Sequence, residues 1–333
     1  MRACLHDEVL TNGFSRLIRF RGAAAPGSST PLLLVPSLIN RWYVLDLYDR
    51  GSVAKAFVEG GIDTYLLDWG VANDEDRYFG WDDAVSRLHR MVRAVRRFTG
   101  AERVGLLGYC VGGTLSAIHT ALEPDTVCAL ANLAGPIDFS HGGMLRDLVD
   151  ARWFDPAAVA SAGNVRSQQM QAGFIALRPT GQISKYVAML DKMSDPKAKA
   201  AFDALEGWAS DNIPFPAAAY RQYITDMYQR NLLVQGEHYV GPRRVDLGRI
   251  TCPTAIIVAE RDHICPPEAA LALDATSNAA EKEVIRIPGG HVGAVVGSKA
   301  RTLLYPQITA WFARHLGVSA STPVTTPAAA LPS

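Results

Sequence analysis

Short apolar runs alternate with amphipathic segments along the first half of the chain. Three runs predict buried strands because they are apolar and bounded by turn residues: residues 31–37 (PLLLVPS), 63–70 (DTYLLDWG) and 103–109 (RVGLLGY). Residues 80–100 predict an amphipathic crossover helix, whose apolar face comprises Trp81, Val85, Leu88, Val92, Val95 and Phe98. Strands that alternate with such helices are typical of a parallel sheet.

The alternation continues to residue 135 and then stops. Residues 114–124 (TLSAIHTALEP) predict a helix that ends before the proline, and residues 126–135 (TVCALANLAG) predict another strand. From residue 140 to residue 248 the sequence has a helical pattern and is rich in aromatic side chains. We therefore expect this segment to form an inserted helical cap.

Strand-like runs return at residues 253–267 and 282–293, and a final helix is predicted over residues 303–316. Residues 317–333 contain Pro, Ser, Thr and Ala without periodicity, so they predict a disordered tail. The predicted domains are a core of residues 1–139 and 249–316, a cap of residues 140–248, and the tail of residues 317–333.

Composition and charge argue against several classes of protein. The 333 residues include 33 basic and 33 acidic side chains, and a formal net charge of zero does not favour nucleic-acid binding. The longest apolar stretch, residues 31–39, is far shorter than the roughly 20 residues of a membrane-spanning helix. Charges near the N-terminus interrupt any signal-peptide core. These features predict a soluble, cytoplasmic protein without a membrane span.

Cysteine usage points to a reducing compartment. The chain has five cysteines, an odd number, with no C-x-x-C pair and no His/Cys spacing suited to a metal. A disulfide framework and a zinc site are therefore not expected. No motif implies a metal or an organic cofactor.

The segment GYCVGGT at residues 108–114 has the outline of a nucleophile elbow, with Cys110 where G-x-S-x-G has serine. At such an elbow a strand ends and a helix begins at one residue, which exposes the nucleophile above the sheet. Gly108 and Gly112 are required because a Cβ at either position would collide with the neighbouring strand or helix. A buried structural cysteine is the alternative for Cys110 considered alone.

Two later loops supply partners for a catalytic cysteine. Asp262 and His291 each follow a strand-like run, so the chain order is nucleophile, acid, histidine. On this hypothesis His291 is the general base and Asp262 orients its imidazole. Asp138 also follows a strand and is a rival acid, although a turn or N-cap role fits it better. The elbow and the two loops together predict catalysis, which none of them predicts alone.

Backbone N–H groups complete the predicted site. Val111 begins the helix after the elbow, and Leu38 lies in the loop after the first apolar run, so their N–H groups are the expected oxyanion donors. Neither His263 nor Cys265 is assigned a role. The order of elements and site residues predicts an α/β-hydrolase fold, with a mostly parallel, doubly wound sheet and an inserted helical cap.

Seven segments together resemble the polyhydroxyalkanoate synthases, most closely the catalytic subunits of the two-subunit (class III) type. The resemblance covers residues 31–316 and includes the cap. The segments are PSLINRWYVLDL, GIDTYLLDWG, GYCVGGT, GPIDF, PTGQISKYVAMLD, RDHICPPE and GGHVGAVVGSKA.

The resemblance implies a specific chemistry. It implies that Cys110 is the acyl carrier and that Asp262 and His291 are its partners, with 3-hydroxyacyl-coenzyme A and the growing polyester as substrates. It also implies a second synthase subunit as partner, a homo- or hetero-oligomer, and a place at the surface of the polyester granule.

Two features depart from the family pattern. Family members begin with a longer N-terminal segment than the thirty or so residues that precede the resemblance here, which bears on substrate access and partner contacts. The residue after the cysteine is Val111, where the two-subunit enzymes usually have glutamine. The backbone N–H is kept, so the predicted oxyanion role is unchanged.

Three functions are compatible with these residues. An acyltransferase would use the Cys110 thioester to keep the acyl group activated for transfer to a hydroxyl. A thioesterase or polyester depolymerase would use the same three residues with water as acceptor. A non-catalytic granule scaffold would retain the fold without the reaction.

Overall fold

The computed structural model describes residues 3–22, 29–177 and 194–318. The predicted tail beyond Val318 and the family segment at residues 179–191 lie outside the described residues. Among the described residues, no helix is both long enough and apolar enough to cross a membrane.

The core of the fold is an eight-stranded sheet. The described strands are His6–Asn12 (β1), Ser15–Phe20 (β2), Leu32–Val35 (β3), Asp46–Tyr48 (β4), Gly51–Ser52 (β5), Thr64–Asp68 (β6), Val104–Tyr109 (β7), Val127–Leu133 (β8), Tyr239–Val240 (β9), Arg243–Arg244 (β10), Thr254–Ala259 (β11) and Lys282–Ile287 (β12). The central sheet has the order β1-β2-β6-β3-β7-β8-β11-β12. In this order, the pairs β1-β2 and β2-β6 are antiparallel, and every later pair, from β6-β3 to β11-β12, is parallel.

Some helices pack on the sheet. Others form a separate group in the part of the chain between β8 and β11. The described α-helices are Val53–Glu59 (α1), Trp81–Thr99 (α2), Val111–Leu122 (α3), Gly143–Leu148 (α4), Pro156–Ala160 (α5), Ser167–Ala176 (α6), Pro196–Ser210 (α7), Ala217–Gln222 (α8), Pro267–Thr276 (α9), Gly293–Val296 (α10) and Tyr305–Leu316 (α11). Two π-helical turns, Tyr223–Gln229 and Ala300–Leu304, adjoin α8 and α11. The predicted α/β class with a mostly parallel sheet is confirmed.

The central parallel strands are apolar because both faces of the sheet are covered there, whereas β12, at the edge, is partly exposed. Strands β3, β6, β7 and β11 are buried at every residue. Their carboxyl ends lie at one edge of the sheet, so the loops that follow β3, β7, β11 and β12 meet there. Polar groups in those loops are the natural place for a site.

Helix α2 buries the face that its periodicity predicts, with one exception. Trp81, Val85, Leu88, Val92 and Val95 are all buried, whereas Phe98 is 52% exposed. The prediction for Phe98 is therefore wrong. Its ring makes only an edge contact with Tyr65, at a centroid distance of 6.2 Å, because it lies in the last turn of the helix.

The helices between β8 and β11 rest on an aromatic cluster. Tyr223 stacks on Trp81 of α2, with ring centroids 5.1 Å apart and an interplanar angle of 16°. Phe139 makes edge contacts with Tyr223 and Tyr228 at 5.7 and 4.9 Å. Such pairs stabilise the contact by about 0.5–1.5 kcal/mol each beyond area burial. The division into a core and a cap of residues 140–248 stays a prediction.

Candidate active site

Cys110 occupies the turn between β7 and α3. Its backbone has φ 56° and ψ −127°, a conformation that L-residues rarely adopt. The Cys110 N–H donates to the carbonyl of Leu133 on β8 at 3.0 Å, which holds the strained residue against the sheet. The predicted elbow geometry is therefore present in the fold, with the cysteine at its apex.

Two glycines leave room for this turn. A Cβ on Gly112 would lie 2.0 Å from the carbonyl oxygen of Val35, at the end of β3. A Cβ on Gly108 would lie 2.4 Å from the carbonyl oxygen of Gly112 itself. Both contacts are with backbone atoms, so a side chain at either position would displace α3 from the sheet.

Asp262 and His291 form a buried pair beside the elbow. Their side chains are 0% and 7% exposed, and His291 Nδ1 lies 2.7 Å from Asp262 Oδ2. The other carboxylate oxygen of Asp262 accepts the N–H groups of Ile264 and Cys265, each at 2.9 Å. Because an ionised carboxylate only accepts hydrogen bonds, it fixes the proton of His291 on Nδ1.

The histidine is coupled to the cysteine as well as to the aspartate. Burial lowers the pKa of His291, but the negative charges of Cys110 and Asp262 and hydrogen bonds to both groups raise it above its ordinary value. A raised imidazole pKa beside a thiol favours transfer of the thiol proton to the histidine. The arrangement therefore places a proton acceptor beside the Cys110 thiol.

Tyr109 is a site residue that sequence reasoning missed. Its ring stacks on the imidazole of His291, with centroids 5.2 Å apart and planes 29° from parallel. Tyr109 is 3% exposed, so a buried ring restricts the histidine on one face. The available signal was its position directly before Cys110, at the end of an apolar run.

Among the described residues, two cavities border Cys110. One has a volume of about 440 Å³ and contains polar side chains, which are Asn40, Gln171, Glu206, Ser210, Asn212 and His291. The other also has a volume of about 440 Å³, and apolar side chains dominate its wall, among them Ile39, Val111, Leu145, Phe154, Phe215 and Tyr223. The thiol therefore lies between a cavity of mixed lining, called the polar cavity below, and a mostly apolar one, called the apolar cavity.

The predicted oxyanion donors lie on two different elements. Val111 is the first residue of α3, where the N–H groups of a helix have no acceptor four residues earlier in the same helix. Leu38 lies in the loop after β3, and its buried side chain lines a third cavity together with Trp69. The N–H roles of both residues stay predictions.

The other residues considered from the sequence are Asp138, His263 and Cys265. Asp138 caps a short 3-10 turn and accepts hydrogen bonds from Ser140 and Asn231, so its carboxylate is already engaged. This agrees with its predicted N-cap role, and Asp262 is the aspartate that contacts His291. His263 is exposed and Cys265 is buried.

The fold and this arrangement define a class of protein. The family model described as the alpha/beta hydrolase fold matches residues 30–298. A monoacylglycerol lipase from Paleococcus ferrophilus superposes with a TM-score of 0.58 at 14% identity, over 92% of this chain and 100% of the lipase chain. A thioesterase domain from the curacin biosynthetic pathway gives 0.52 at 12% identity, over 92% of this chain and 99% of the domain. These structures show a shared fold.

Sequence relatives narrow the class. A poly(3-hydroxyalkanoate) polymerase subunit PhaC from Haloferax mediterranei is 36% identical over 304 residues, which cover 90% of this chain and 62% of that protein. The subunit of the same name from Allochromatium vinosum is 35% identical over 292 residues, covering 86% of this chain and 82% of that protein. The chain belongs to the poly(3-hydroxyalkanoate) polymerase family, which is a family of acyltransferases. The resemblance found in the sequence is confirmed.

Proposed function

We propose that this protein polymerises 3-hydroxyacyl-coenzyme A into polyester, with Cys110 as the acyl carrier. The observation that carries the proposal is a cysteine at a strained elbow, between two cavities and beside a buried His291–Asp262 pair. Membership of the polymerase family supports the choice of substrate.

The first half-reaction exchanges one thioester for another. His291 accepts the proton of the Cys110 thiol, and the sulfur attacks the thioester carbonyl of the substrate. The bond to the coenzyme A sulfur breaks, and His291 returns the proton to that leaving thiolate. Asp262 holds the imidazole in orientation throughout, and the N–H groups of Val111 and Leu38 stabilise the negative oxygen.

The second half-reaction uses the hydroxyl of a 3-hydroxyacyl group as acceptor. His291 removes the hydroxyl proton, the oxygen attacks the thioester on Cys110, and the Cys110 sulfur leaves and takes the proton back. One ester bond forms for each thioester consumed. A serine at position 110 would hold the acyl group as an oxoester and leave little driving force for this transfer.

Water must be excluded for polymer to form. Cys110 is 9% exposed, and the apolar cavity on one side of it offers few hydrogen-bonding partners to a water molecule. We propose that the growing polyester occupies the apolar cavity and that coenzyme A approaches through the polar one. Within the proposed cap, Gln171 lines the polar cavity and Phe154 lines the apolar one.

Further parts of the proposal concern the assembly. We propose that a second synthase subunit binds this chain, because its relatives are named polymerase subunits. We also propose that the enzyme works at the surface of the polyester granule, where the insoluble product collects.

Coenzyme A release tests the proposal. The protein is mixed with 3-hydroxybutyryl-coenzyme A, with and without a partner subunit, and free thiol is followed. We expect release by the wild type and by Cys128→Ala, a control cysteine on β8, and none by Cys110→Ala. If the wild type is as silent as Cys110→Ala with a partner subunit present, the proposal is wrong.

Hydrolysis is the second candidate function. The polar cavity, with Gln171 and Glu206 in its wall, is a route by which water reaches Cys110. Product analysis of the same reaction separates the two functions. Insoluble polyester supports synthesis, whereas free 3-hydroxybutyrate in amounts equal to the released coenzyme A supports hydrolysis.

A further inference from the structure

The loop after β3 is hydrogen-bonded to the carboxyl end of α7. The residues that pair are about 170 positions apart in the sequence. Four bonds make this connection, which we call the loop latch: Trp208 Nε1 to the Arg41 carbonyl at 2.9 Å, Arg41 Nε to Asp211 Oδ1 at 3.0 Å, the Tyr43 hydroxyl to Asp211 Oδ2 at 2.7 Å, and Asn40 Nδ2 to Asn212 Oδ1 at 3.0 Å. The latch joins the sheet domain to the helices between β8 and β11.

Asp211 is the centre of the latch. Each of its two carboxylate oxygens accepts one donor, Arg41 on one side and Tyr43 on the other. Its own N–H donates to the carbonyls of Gly207 and Trp208, both at 3.1 Å, so the aspartate is held at the end of α7. A neutral or shortened side chain at this position cannot hold both donors.

The loop that the latch holds is the one that carries Leu38. On its other side the loop begins at Val35 and Pro36, whose carbonyls lie against Gly112 at the start of α3. Asn40 and Asn212 of the latch also form part of the wall of the polar cavity beside Cys110. A shift of α7 away from the loop would therefore change the cavity wall and the position of the Leu38 N–H together.

The latch contributes more to geometry than to stability. The side chains of Arg41 and Asp211 are 32% and 44% exposed, and ion pairs with that much solvent contact contribute about 0–1 kcal/mol. An oxyanion donor, by contrast, must lie within a few tenths of an ångström of its place to act. A contact that contributes little to the free energy of unfolding can therefore have a large effect on the reaction rate.

We propose that Asp211 is a positioning residue for acyl transfer, a role that rests on the function proposed for Cys110. Through Arg41 and Tyr43 it keeps the β3 loop, and with it the backbone N–H of Leu38, in register with the thioester carbonyl at Cys110. Asp211 is not among the residues that line the two described cavities beside Cys110.

The test compares Asp211→Ala with Asp203→Ala. Asp203 lies on the same helix and pairs with Lys199 at the surface, with 57% of its side chain exposed, so it is a matched control. Amide hydrogen exchange over residues 37–43 reports the loop directly. We expect about tenfold faster exchange in Asp211→Ala, equivalent to the loss of about one hydrogen bond, and no change in Asp203→Ala.

Kinetics separate positioning from a general structural effect. In Asp211→Ala, we expect kcat for coenzyme A release to fall roughly tenfold, less than the 10²–10³ lost when a donor is deleted outright, with KM changed less than about threefold. Tyr43→Phe, which removes one of the two donors, should give an intermediate loss. The rate at which iodoacetamide alkylates Cys110 should not change, because that reaction needs no oxyanion donor.

Two results would overturn the proposal. One is equal exchange over residues 37–43 in the wild type and Asp211→Ala. The other is a parallel loss of alkylation and coenzyme A release, which would place the effect on the Cys110–His291 pair. If the wild type releases no coenzyme A, the function proposed for Cys110 fails, and the exchange measurement alone then decides whether the latch holds the loop.

Discussion

Two buried histidines lie near the two ends of α3, and their environments are opposite. His291 lies beside the elbow at which α3 begins, and it contacts the carboxylate of Asp262 at 2.7 Å. His119 lies in the last turn of the helix and contacts a second histidine, His89, with ring centroids 4.5 Å apart. Both rings are almost completely buried, at 8% and 1% exposure, so burial alone does not distinguish them.

The neighbours determine the charge state of each ring. Burial lowers the pKa of His119 well below its ordinary value, and the positive charges of His89, Arg243 and Arg96 lower it further. Burial also lowers the pKa of His291, but the negative charges of Cys110 and Asp262 outweigh that cost and raise it. One histidine is therefore kept neutral as a packing residue, and the other is prepared to take a proton.

The hydrogen bonds of His119 also fix its tautomer. The hydroxyl of Thr126 donates to the Glu123 carbonyl at 2.7 Å, so its oxygen accepts from His119 Nε2 at 3.2 Å. Nδ1 of the neutral His119 ring therefore has no proton and accepts the hydrogen bond between the two rings, which His89 Nδ1–H donates. A further proton would place two N–H groups against each other.

Removing the Asp262 carboxylate should have the largest effect on activity. It takes away the negative group that distinguishes the surroundings of His291 from those of His119. In Asp262→Asn, the amide can donate to His291 Nδ1 and favour the wrong tautomer, so we expect kcat for coenzyme A release to fall by about 10⁴. Steady-state kinetics measure the loss. Circular dichroism checks the fold, and activity within about tenfold of the wild type would contradict the assigned role of Asp262.

Removing the thiol should lower the pKa of His291. In Cys110→Ala the imidazole loses one of the two negative groups that raise its pKa, while burial continues to lower it. NMR titration of the His291 ring should therefore show a lower midpoint in Cys110→Ala than in the wild type. The control is Cys265→Ala, whose thiol does not bond to the ring; a midpoint that stays the same in Cys110→Ala would show that no Cys–His proton exchange occurs.

Acid should destabilise the protein through His119. Because its pKa is lowered in the folded state, the unfolded chain binds more protons below the ordinary histidine pKa, and the free energy of unfolding falls as pH falls. In His119→Gln this fall should be smaller by about 1.4 kcal/mol per pH unit below about pH 6. Urea unfolding between pH 5 and pH 7.5 measures it.

Removing the ring beneath His291 should have the smallest effect. Tyr109→Leu keeps an apolar side chain but loses the stacked contact at 5.2 Å. Such contacts contribute about 1 kcal/mol, so we expect kcat to fall roughly fivefold with little change in KM. A loss as large as that of Asp262→Asn would mean that Tyr109 does more than restrict the imidazole.

Local patterns in the sequence predicted the parts of the site that depend on chain order. The elbow at Cys110 requires glycines at fixed spacing, and Asp262 and His291 each follow an apolar strand, so all three can be read from neighbouring residues. The sequence favours Asp262 over Asp138, because a turn or N-cap role fits Asp138 better. In the structure Asp138 caps a 3-10 turn, and Asp262 is the carboxylate that contacts His291.

The features that sequence reasoning missed all join distant segments. The loop latch connects residues near 41 and 211, and the His89–His119 contact depends on how α2 crosses α3. Phe98 has the spacing of a core residue, yet it lies in the last turn of α2 and is 52% exposed. Periodicity identifies the face of a helix, but not where the neighbouring element ends.

The proposed function depends most on Cys110 as an acyl carrier, and one measurement tests this role directly. Butyryl-coenzyme A lacks the 3-hydroxyl and cannot be extended, so a single acyl group should accumulate on the enzyme. Mass spectrometry of the peptide that contains Cys110 should show one butyryl group, which neutral hydroxylamine removes and which Cys110→Ala lacks. A butyryl group on another residue, or none in an enzyme that still releases coenzyme A, would contradict the account.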